Sequence, residues 1–162
     1  MTTASEAFLK QIQNGWGFNF FMWKQLPAAF WAGVRLVSAD ENKAVVKVPY
    51  KRMSQNPFGS TYFACLAMAA EMSTGVLALA AIQGANPSMS MLVSEVNGQF
   101  SKKATQITYF TCEDGEKVFA AVAEAISTGK AVQVDTLSIG RDAQGEEIAR
   151  FRIIWSFKQR SK

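Results

Sequence analysis

The residues best suited to chemistry lie between positions 56 and 71. Asn56 is followed by Gly59, where a backbone without Cβ lets a ligand approach closely. From about Ser60 the pattern predicts a helix, so the amides of residues 61–63 should be unpaired donors at the positive end of its dipole. Such a helix end can hold an oxyanion.

Glu71 is the only charged residue from Tyr62 to Ile82. A buried carboxylate without a partner tends to have a raised pKa and is a candidate functional group. The alternative is that Glu71 reaches the surface or pairs with a Lys or Arg across an interface. It follows Phe63 by eight residues, about 12 Å along a helix axis, too far to act on an atom held by its own helix's first-turn amides. In a dimer with antiparallel central helices, it would meet the helix start of the other chain.

The composition excludes several classes of mechanism. The chain has no histidine, which removes imidazole acid–base catalysis, Ser-His-Asp and Cys-His nucleophiles, and His-ligated zinc. The two cysteines, Cys65 and Cys112, form no framework pattern, so we expect a reduced, cytoplasmic protein without a metal site. A net charge of +4 is too mild to indicate a nucleic-acid partner.

The elements that would position these residues follow from periodicity and turn signals. We predict four helices: a short one over 5–13, a second short one before Pro27, the central helix over 60–83 and another over 115–128. Strands are predicted over 34–38, 43–49, 90–101 and 106–112, followed by a hairpin whose arms are 131–141 and 147–158. That central helix is apolar nearly all round, which is typical of a buried helix. The fold class is therefore α+β, with an antiparallel sheet wrapped around one long helix. We expect a single domain over 1–162, with a helical, aromatic segment at 1–33 and the core at 34–158.

Partners are predicted from what the core leaves uncovered. The sheet has a second face and free edges, which indicates a homodimer or a dimer of dimers. Segment 62–82 is long enough to cross a bilayer, but Glu71 near its middle and its many alanines predict no membrane span. The aromatics of residues 16–31 should not face water; they form either a lid or dimer surface, or a wall of an apolar ligand pocket.

At residues 56–71 the chain resembles a known family. Asn56-Pro-Phe-Gly59-Ser-Thr-Tyr62-Phe63-Ala64, followed by Glu71, is similar to the signature of hotdog-fold acyl-CoA thioesterases: Asn, two residues, Gly, two residues, His-Gly-Gly, and an acid fifteen positions after the Asn. Glu71 keeps that spacing. The form with Tyr at the His position looks like an uncharacterised branch of the superfamily, related to phenylacetate-pathway thioesterases. Residues 96–104 resemble the strand that ends in an aromatic and a loop near the cofactor tail.

The resemblance implies a hotdog fold and hydrolysis of an acyl thioester at a dimer interface, with coenzyme A as part of the substrate and no other cofactor. Asn56 would orient the attacking water or the carbonyl, with Gly59 at the turn behind it. The Phe63 amide would donate to the oxyanion, and Glu71 of the facing subunit would be general base or nucleophile.

Five further residues are candidates for contact with the substrate. Hydrogen bonds would come from Tyr62, Ser73 and Thr74, and contacts with a coenzyme A phosphate from Lys102 and Lys103. Each has a plainer alternative: a packed aromatic for Tyr62, backbone hydrogen bonds for the two hydroxyls, and a solvated loop for the lysines.

Two departures from the signature leave a second hypothesis open. Tyr62 replaces the His, and Phe63-Ala64 replaces Gly-Gly. Bulk at Phe63 narrows the space for the thioester, although its backbone amide survives any side chain. The alternative function is a hotdog protein that binds an acyl group or acyl-CoA without turning it over.

Overall fold

The computed structural model describes residues 2–160, which form five helices and six strands. The helices are α1 (Thr3–Gln13), α2 (Gly15–Gln25), α3 (Pro27–Ala32), α4 (Phe63–Ile82) and α5 (Gly115–Thr128). The strands are β1 (Arg35–Ala39), β2 (Ala44–Val48), β3 (Met89–Phe100), β4 (Thr108–Cys112), β5 (Val132–Arg141) and β6 (Glu147–Gln159). Every predicted element is present, with ends that differ by a few residues.

All six strands form one antiparallel sheet in the order β1-β2-β4-β5-β6-β3. Helix α4 contacts all six strands, and α5 contacts α4, β5 and β6. The predicted α+β architecture, a long helix wrapped by an antiparallel sheet, is confirmed. The two edge strands are β1 and β3, so a residue that follows β3 lies at an open side of the sheet.

Helix α4 supplies the centre of the core. Thirteen of its 20 residues are buried, and no single stripe is apolar, as expected for a helix with neighbours on all sides. Its length and mean hydropathy of 1.8 also satisfy the criteria for a membrane span. Because 72% of that window is buried inside the protein, the core accounts for its apolar character.

The start of α4 differs from the prediction. The helix begins at Phe63 rather than near Ser60 because the preceding amides are held by distant segments. The amide of Thr61 donates to the carbonyl of Ala104 at 2.7 Å, and that of Tyr62 donates to the carbonyl of Ser54 at 2.7 Å. These two bonds fix residues 61 and 62 in an extended path before the helix.

The N-terminal segment forms two helices after α1, where one was predicted. Pro27 begins α3 at a position where a missing amide costs nothing. Helix α1 begins two residues before the predicted position 5, and the hydroxyl of Thr2 caps it by accepting from the amide of Ser5. Few of the aromatics of residues 16–31 pack inward: Phe18 is buried and Phe30 half-buried, whereas Trp16 is 91% exposed.

Candidate functional site

An open cleft of about 660 Å³ lies at the N-terminus of α4. One side is the loop from Asn56 to Tyr62, and the other is the stretch from Phe100 to Ala104 that follows β3. The cleft brings together five of the predicted site residues: Asn56, Tyr62, Phe63, Lys102 and Lys103.

The Phe63 amide is the first of two free donors at this end of the helix. Tyr62 is the N-cap residue, and its side chain makes no capping hydrogen bond. Within residues 2–160, neither the Phe63 amide nor the Ala64 amide has an acceptor. The prediction of free amides at 61–63 is therefore wrong for Thr61 and Tyr62, which are paired, whereas the Phe63 amide is available to an anion.

Asn56 organises the loop in front of the helix. Its Oδ1 accepts from the amides of Phe58 (3.0 Å) and Ser60 (3.2 Å), and its Nδ2 donates to Ser60 Oγ at 3.1 Å. Gly59 has a φ of +72°, a conformation that favours glycine, and an added Cβ there would meet nothing within 4 Å. Both polar atoms of Asn56 are thus engaged within the loop, so its predicted role at the thioester stays a prediction.

Three aromatic rings form an apolar wall beside the free amide. The centroid of the Phe63 ring lies 5.0 Å from that of Tyr62 and 6.4 Å from that of Phe100, and both pairs are edge to face. These side chains are 46% (Tyr62), 56% (Phe63) and 50% (Phe100) exposed. Phe100 in turn contacts the buried Phe151 at 5.5 Å, which anchors the wall to the core.

Lys102 and Lys103 carry the positive charge of the cleft. Lys102 lies 3.8 Å from a carboxylate oxygen of Asp142, and the Nζ of Lys103 donates to the Phe58 carbonyl at 3.2 Å. Both side chains belong to exposed residues, so they retain access to an anionic ligand. Residues 2–160 contain no group of three or more Cys, Asp or Glu side chains placed to hold a metal ion.

Glu71 lies outside this cleft in its own chain, in the middle of α4. Its carboxylate makes no hydrogen bond or ion pair within residues 2–160, and partial burial raises its pKa above the usual 4.5 by desolvation. A Cβ at Gly75 would lie 3.3 Å from Glu71 Oε1 and 3.3 Å from Cζ2 of Trp155. Glu71 therefore sits next to β6, the neighbour of edge strand β3.

The hydroxyls of Ser73 and Thr74 face the core rather than the cleft. Ser73 Oγ is 2.7 Å from Ser138 Oγ on β5, and Thr74 Oγ1 accepts from the indole nitrogen of Trp155 at 2.9 Å. Both residues have no exposed surface. Their predicted contact with substrate does not fit this placement, because each hydroxyl is used to tie α4 to the sheet.

Trp155 is a residue that the sequence did not single out. It lies in a strand that alternates polar and apolar residues, where an aromatic residue on the apolar side is expected simply to pack in the core. Only the fold shows that its ring borders Gly75, one turn after Glu71, and that its indole nitrogen donates to Thr74 Oγ1.

Solved structures of low sequence identity share this architecture. A protein of unknown function from Pseudomonas aeruginosa, described as a probable thioesterase, is 19% identical, with 99% of each chain covered and a TM-score of 0.73. A protein of unknown function from Chlorobaculum tepidum is 15% identical, with coverage of 95% and 99% and a TM-score of 0.77. A thioesterase from Haemophilus influenzae is 12% identical, with coverage of 90% and 91% and a TM-score of 0.65.

These likenesses define the class of the protein: it has the hotdog fold of thioesterase-type proteins. The chain belongs to the family described as Domain of unknown function (DUF4442), whose model matches residues 16–157. The expectation of an uncharacterised family with the hotdog fold is thereby confirmed. A search of curated proteins found no significant match.

Proposed function

We propose that the protein hydrolyses an acyl thioester, with coenzyme A as the thiol part of the substrate, at the interface of a homodimer. The observation that carries this proposal is the unpaired amide of Phe63, a residue that lines a cleft at the positive end of a 20-residue helix. The two free, buried cysteines suit a reducing compartment, and we place the activity in the cytoplasm.

The proposed reaction adds one water to the thioester carbonyl. The partner's Glu71 takes a proton from that water while the water oxygen bonds to the carbonyl carbon. The carbonyl oxygen becomes an oxyanion, which accepts a hydrogen bond from the Phe63 amide and is stabilised by the helix end. Collapse breaks the C–S bond, and the thiolate leaves with the proton that Glu71 had taken, giving a carboxylic acid and a free thiol.

The need for a partner follows from distance. Within one chain, Glu71 is eight residues, or about 12 Å of helix rise, beyond Phe63. Edge strand β3 is 12 residues long and exposes Leu92 (67%) and Val96 (52%), an edge that favours pairing with a second strand. A two-fold axis perpendicular to the sheet at β3 would join the two edges and set the two α4 helices antiparallel on one face.

The cleft suits an acyl-CoA in shape and charge. Its aromatic wall, Tyr62, Phe63 and Phe100, would pack against an apolar acyl group. Lys102 and Lys103 would face a phosphate of the coenzyme A tail. The stretch that carries the lysines follows β3 directly, so a partner paired along β3 would close the open side of the cleft.

Substitutions at Phe63 test the oxyanion role directly. Proline is tolerated at the first position of a helix, and Tyr62 already has the extended conformation (φ −62°, ψ 133°) that a following proline requires. Phe63→Pro therefore deletes the amide donor and keeps the helix, whereas Phe63→Ala deletes the ring and keeps the amide. With short-chain, long-chain and aryl acyl-CoAs as substrates, we expect Phe63→Pro to lower kcat about 100- to 1,000-fold.

Phe63→Ala is the matched control, and it should change KM more than kcat. Thermal unfolding of both variants checks that the fold is kept. Equal kcat for Phe63→Pro and wild type, with the fold intact, would remove the oxyanion role. Absence of turnover by the wild type on every thioester tested would remove the hydrolase proposal itself.

One observation favours a second candidate, an acyl-binding protein without turnover. The rings of Tyr62 and Phe63 stand beside the free amide and occupy space that a small residue would leave to the thioester. This candidate predicts that acyl-CoA binds in the cleft with a measurable Kd and is recovered intact. Phe63→Ala would then bind acyl-CoA with a changed Kd and still not hydrolyse it.

A further inference from the structure

A row of exposed aromatic residues runs along α2 on the side away from the core. Trp16, Phe20 and Trp23 are 91%, 62% and 51% exposed. Their spacing of i, i+4 and i+7 places them on one helical face. Phe18 and Met22, which lie on the opposite side of the helix, are buried. Helix α2 thus has two apolar faces, and only one is used by the fold; we call the outer one the aromatic ridge.

The aromatic ridge is separate from the cleft and from β3. Helix α2 packs on α1 and α3 and contributes no residue to the lining of the cleft. Within the ridge, the rings of Phe20 and Trp23 are in contact, with centroids 5.7 Å apart. Leu26 (42% exposed) and Trp31 (57% exposed) are further exposed apolar residues in the segment that follows α2. Several large apolar side chains exposed together indicate an interaction site rather than ordinary exposure.

The stretch of sequence that contains the ridge carries charge of one sign between Glu6 and Asp40. Residues 7–39 contain Lys10, Lys24 and Arg35 and no Asp or Glu. In the part of the chain that the structure describes, Lys10 and Lys24 form no ion pair. Arg35 lies over the ring of Phe30 at 4.4 Å and donates to backbone carbonyls. The two lysines are therefore free to meet negative charge from outside.

We propose that the aromatic ridge docks on the surface of an anionic phospholipid bilayer. Tryptophan rings sit well at the boundary of headgroups and acyl chains, and lysines reach phosphates while their stems stay apolar. An apolar helix face with flanking cations inserts about 5–10 Å into that boundary, parallel to the membrane. The proposal concerns peripheral binding and is independent of hydrolysis, because it uses none of the cleft residues.

Charge favours a lipid surface over a second copy of the chain. A two-fold contact sets the same patch against itself. Lys24 lies on the ridge helix, so such a contact would bring like charges together without an acid in residues 7–39 to offset them. Anionic headgroups supply the missing counter-charge.

Co-sedimentation of the full chain with vesicles tests the proposal. The probes are vesicles of phosphatidylcholine alone and of phosphatidylcholine mixed with phosphatidylglycerol. We expect binding to the mixed vesicles that weakens with added salt. The triple variant Trp16→Ala, Phe20→Ala, Trp23→Ala should bind the mixed vesicles at least about tenfold more weakly than wild type. Lys24→Glu should also bind them at least about tenfold more weakly than wild type.

The control variant is Met53→Ala with Leu137→Ala, which removes exposed apolar side chains elsewhere (60% and 39% exposed) and should bind like wild type. Sedimentation velocity without lipid accompanies each variant. Absence of binding to the mixed vesicles, or equal binding by the triple variant, would overturn the proposal. So would a wild-type oligomer that dissociates in the triple variant without any lipid binding, because a second copy would then be the occupant.

Discussion

The Glu71 side chain and the ring of Trp155 both border Gly75, and no donor in residues 2–160 offsets the partial burial of the carboxylate. Desolvation raises its pKa, which means that the folded chain holds the ionised form less favourably than the unfolded chain does. A residue that lowers stability in this way is usually retained for function, and the proposed proton transfer gives Glu71 that function.

The sign of the pKa shift predicts how stability depends on pH. Below about pH 4.5, Glu71 is protonated in both states and has no effect. Between about pH 4.5 and the raised pKa, Glu71 loses its proton in the unfolded chain but keeps it in the folded chain, so the free energy of unfolding falls as pH rises. Above the raised pKa both states are ionised, and the free energy of unfolding falls no further. Glu71→Gln should therefore raise Tm at neutral pH, by about 2–4 °C per kcal/mol for a chain of this size, and leave Tm unchanged at the acid end.

The same substitution should abolish base catalysis. We expect a loss of about 100- to 10,000-fold in kcat, and a wild-type rate that falls as pH drops through the raised pKa of Glu71. Glu124→Gln, an exposed change on α5, is the control and should alter neither Tm nor rate. A Glu71→Gln variant that is less stable at neutral pH would contradict the assignment of an uncompensated carboxylate.

At the scale of elements, two hydroxyl contacts fasten α4 to the sheet. Ser73 meets Ser138 on β5, and Thr74 accepts from Trp155 on β6. The Trp155 ring that Thr74 holds borders Gly75, as does the Glu71 carboxylate. Helix and sheet are thus held in register within one turn of the residue proposed to be the base.

Thr74→Val tests whether this hydroxyl serves the core or the substrate. The change keeps the shape and leaves the indole N–H of Trp155 without an acceptor, which should cost about 1–3 kcal/mol in urea unfolding. KM for acyl-CoA should stay the same. Thr128→Val, at the exposed end of α5, is the matched control and should cost little. A raised KM with unchanged stability would instead support the predicted substrate contact.

At the scale of the whole molecule, the proposed site is complete only in an assembly. In this proposal one chain would supply the Phe63 amide and the cleft, and its partner would supply Glu71. The exposed edge of β3 ends at Phe100, which is itself part of the cleft wall. Pairing at that edge and completion of the site would therefore be the same event.

Mixing two inactive variants tests this arrangement. Phe63→Pro and Glu71→Gln each lack one half of the site, and a mixed dimer contains one site with both halves intact. After unfolding and refolding in equal amounts, half of the dimers should be mixed, so about a quarter of wild-type activity should return. A mixture of either variant with itself is the control. Recovery no greater than in the controls would place both groups within one chain.

The architecture and the parts of the site were open to prediction because they depend on local patterns. An all-round apolar segment of 20 residues predicts a central helix, and alternation predicts the strands that wrap it. The predicted helix start near Ser60 came three residues too early, but the eight residues from Phe63 to Glu71 correctly indicated that the two groups are about 12 Å apart along the helix. These features follow from helical rise and side-chain periodicity, which nearest neighbours in the chain determine.

Tertiary structure decided which of those groups are free to act. The amides of Thr61 and Tyr62 donate to the carbonyls of Ala104 and Ser54, which leaves the Phe63 amide as the first free donor. The hydroxyl of Thr74 accepts from Trp155, 81 residues away in the chain, and the ring of the same tryptophan borders Gly75, as the Glu71 carboxylate does. Each outcome depends on contacts between segments far apart in sequence, which fold topology sets and local periodicity cannot encode.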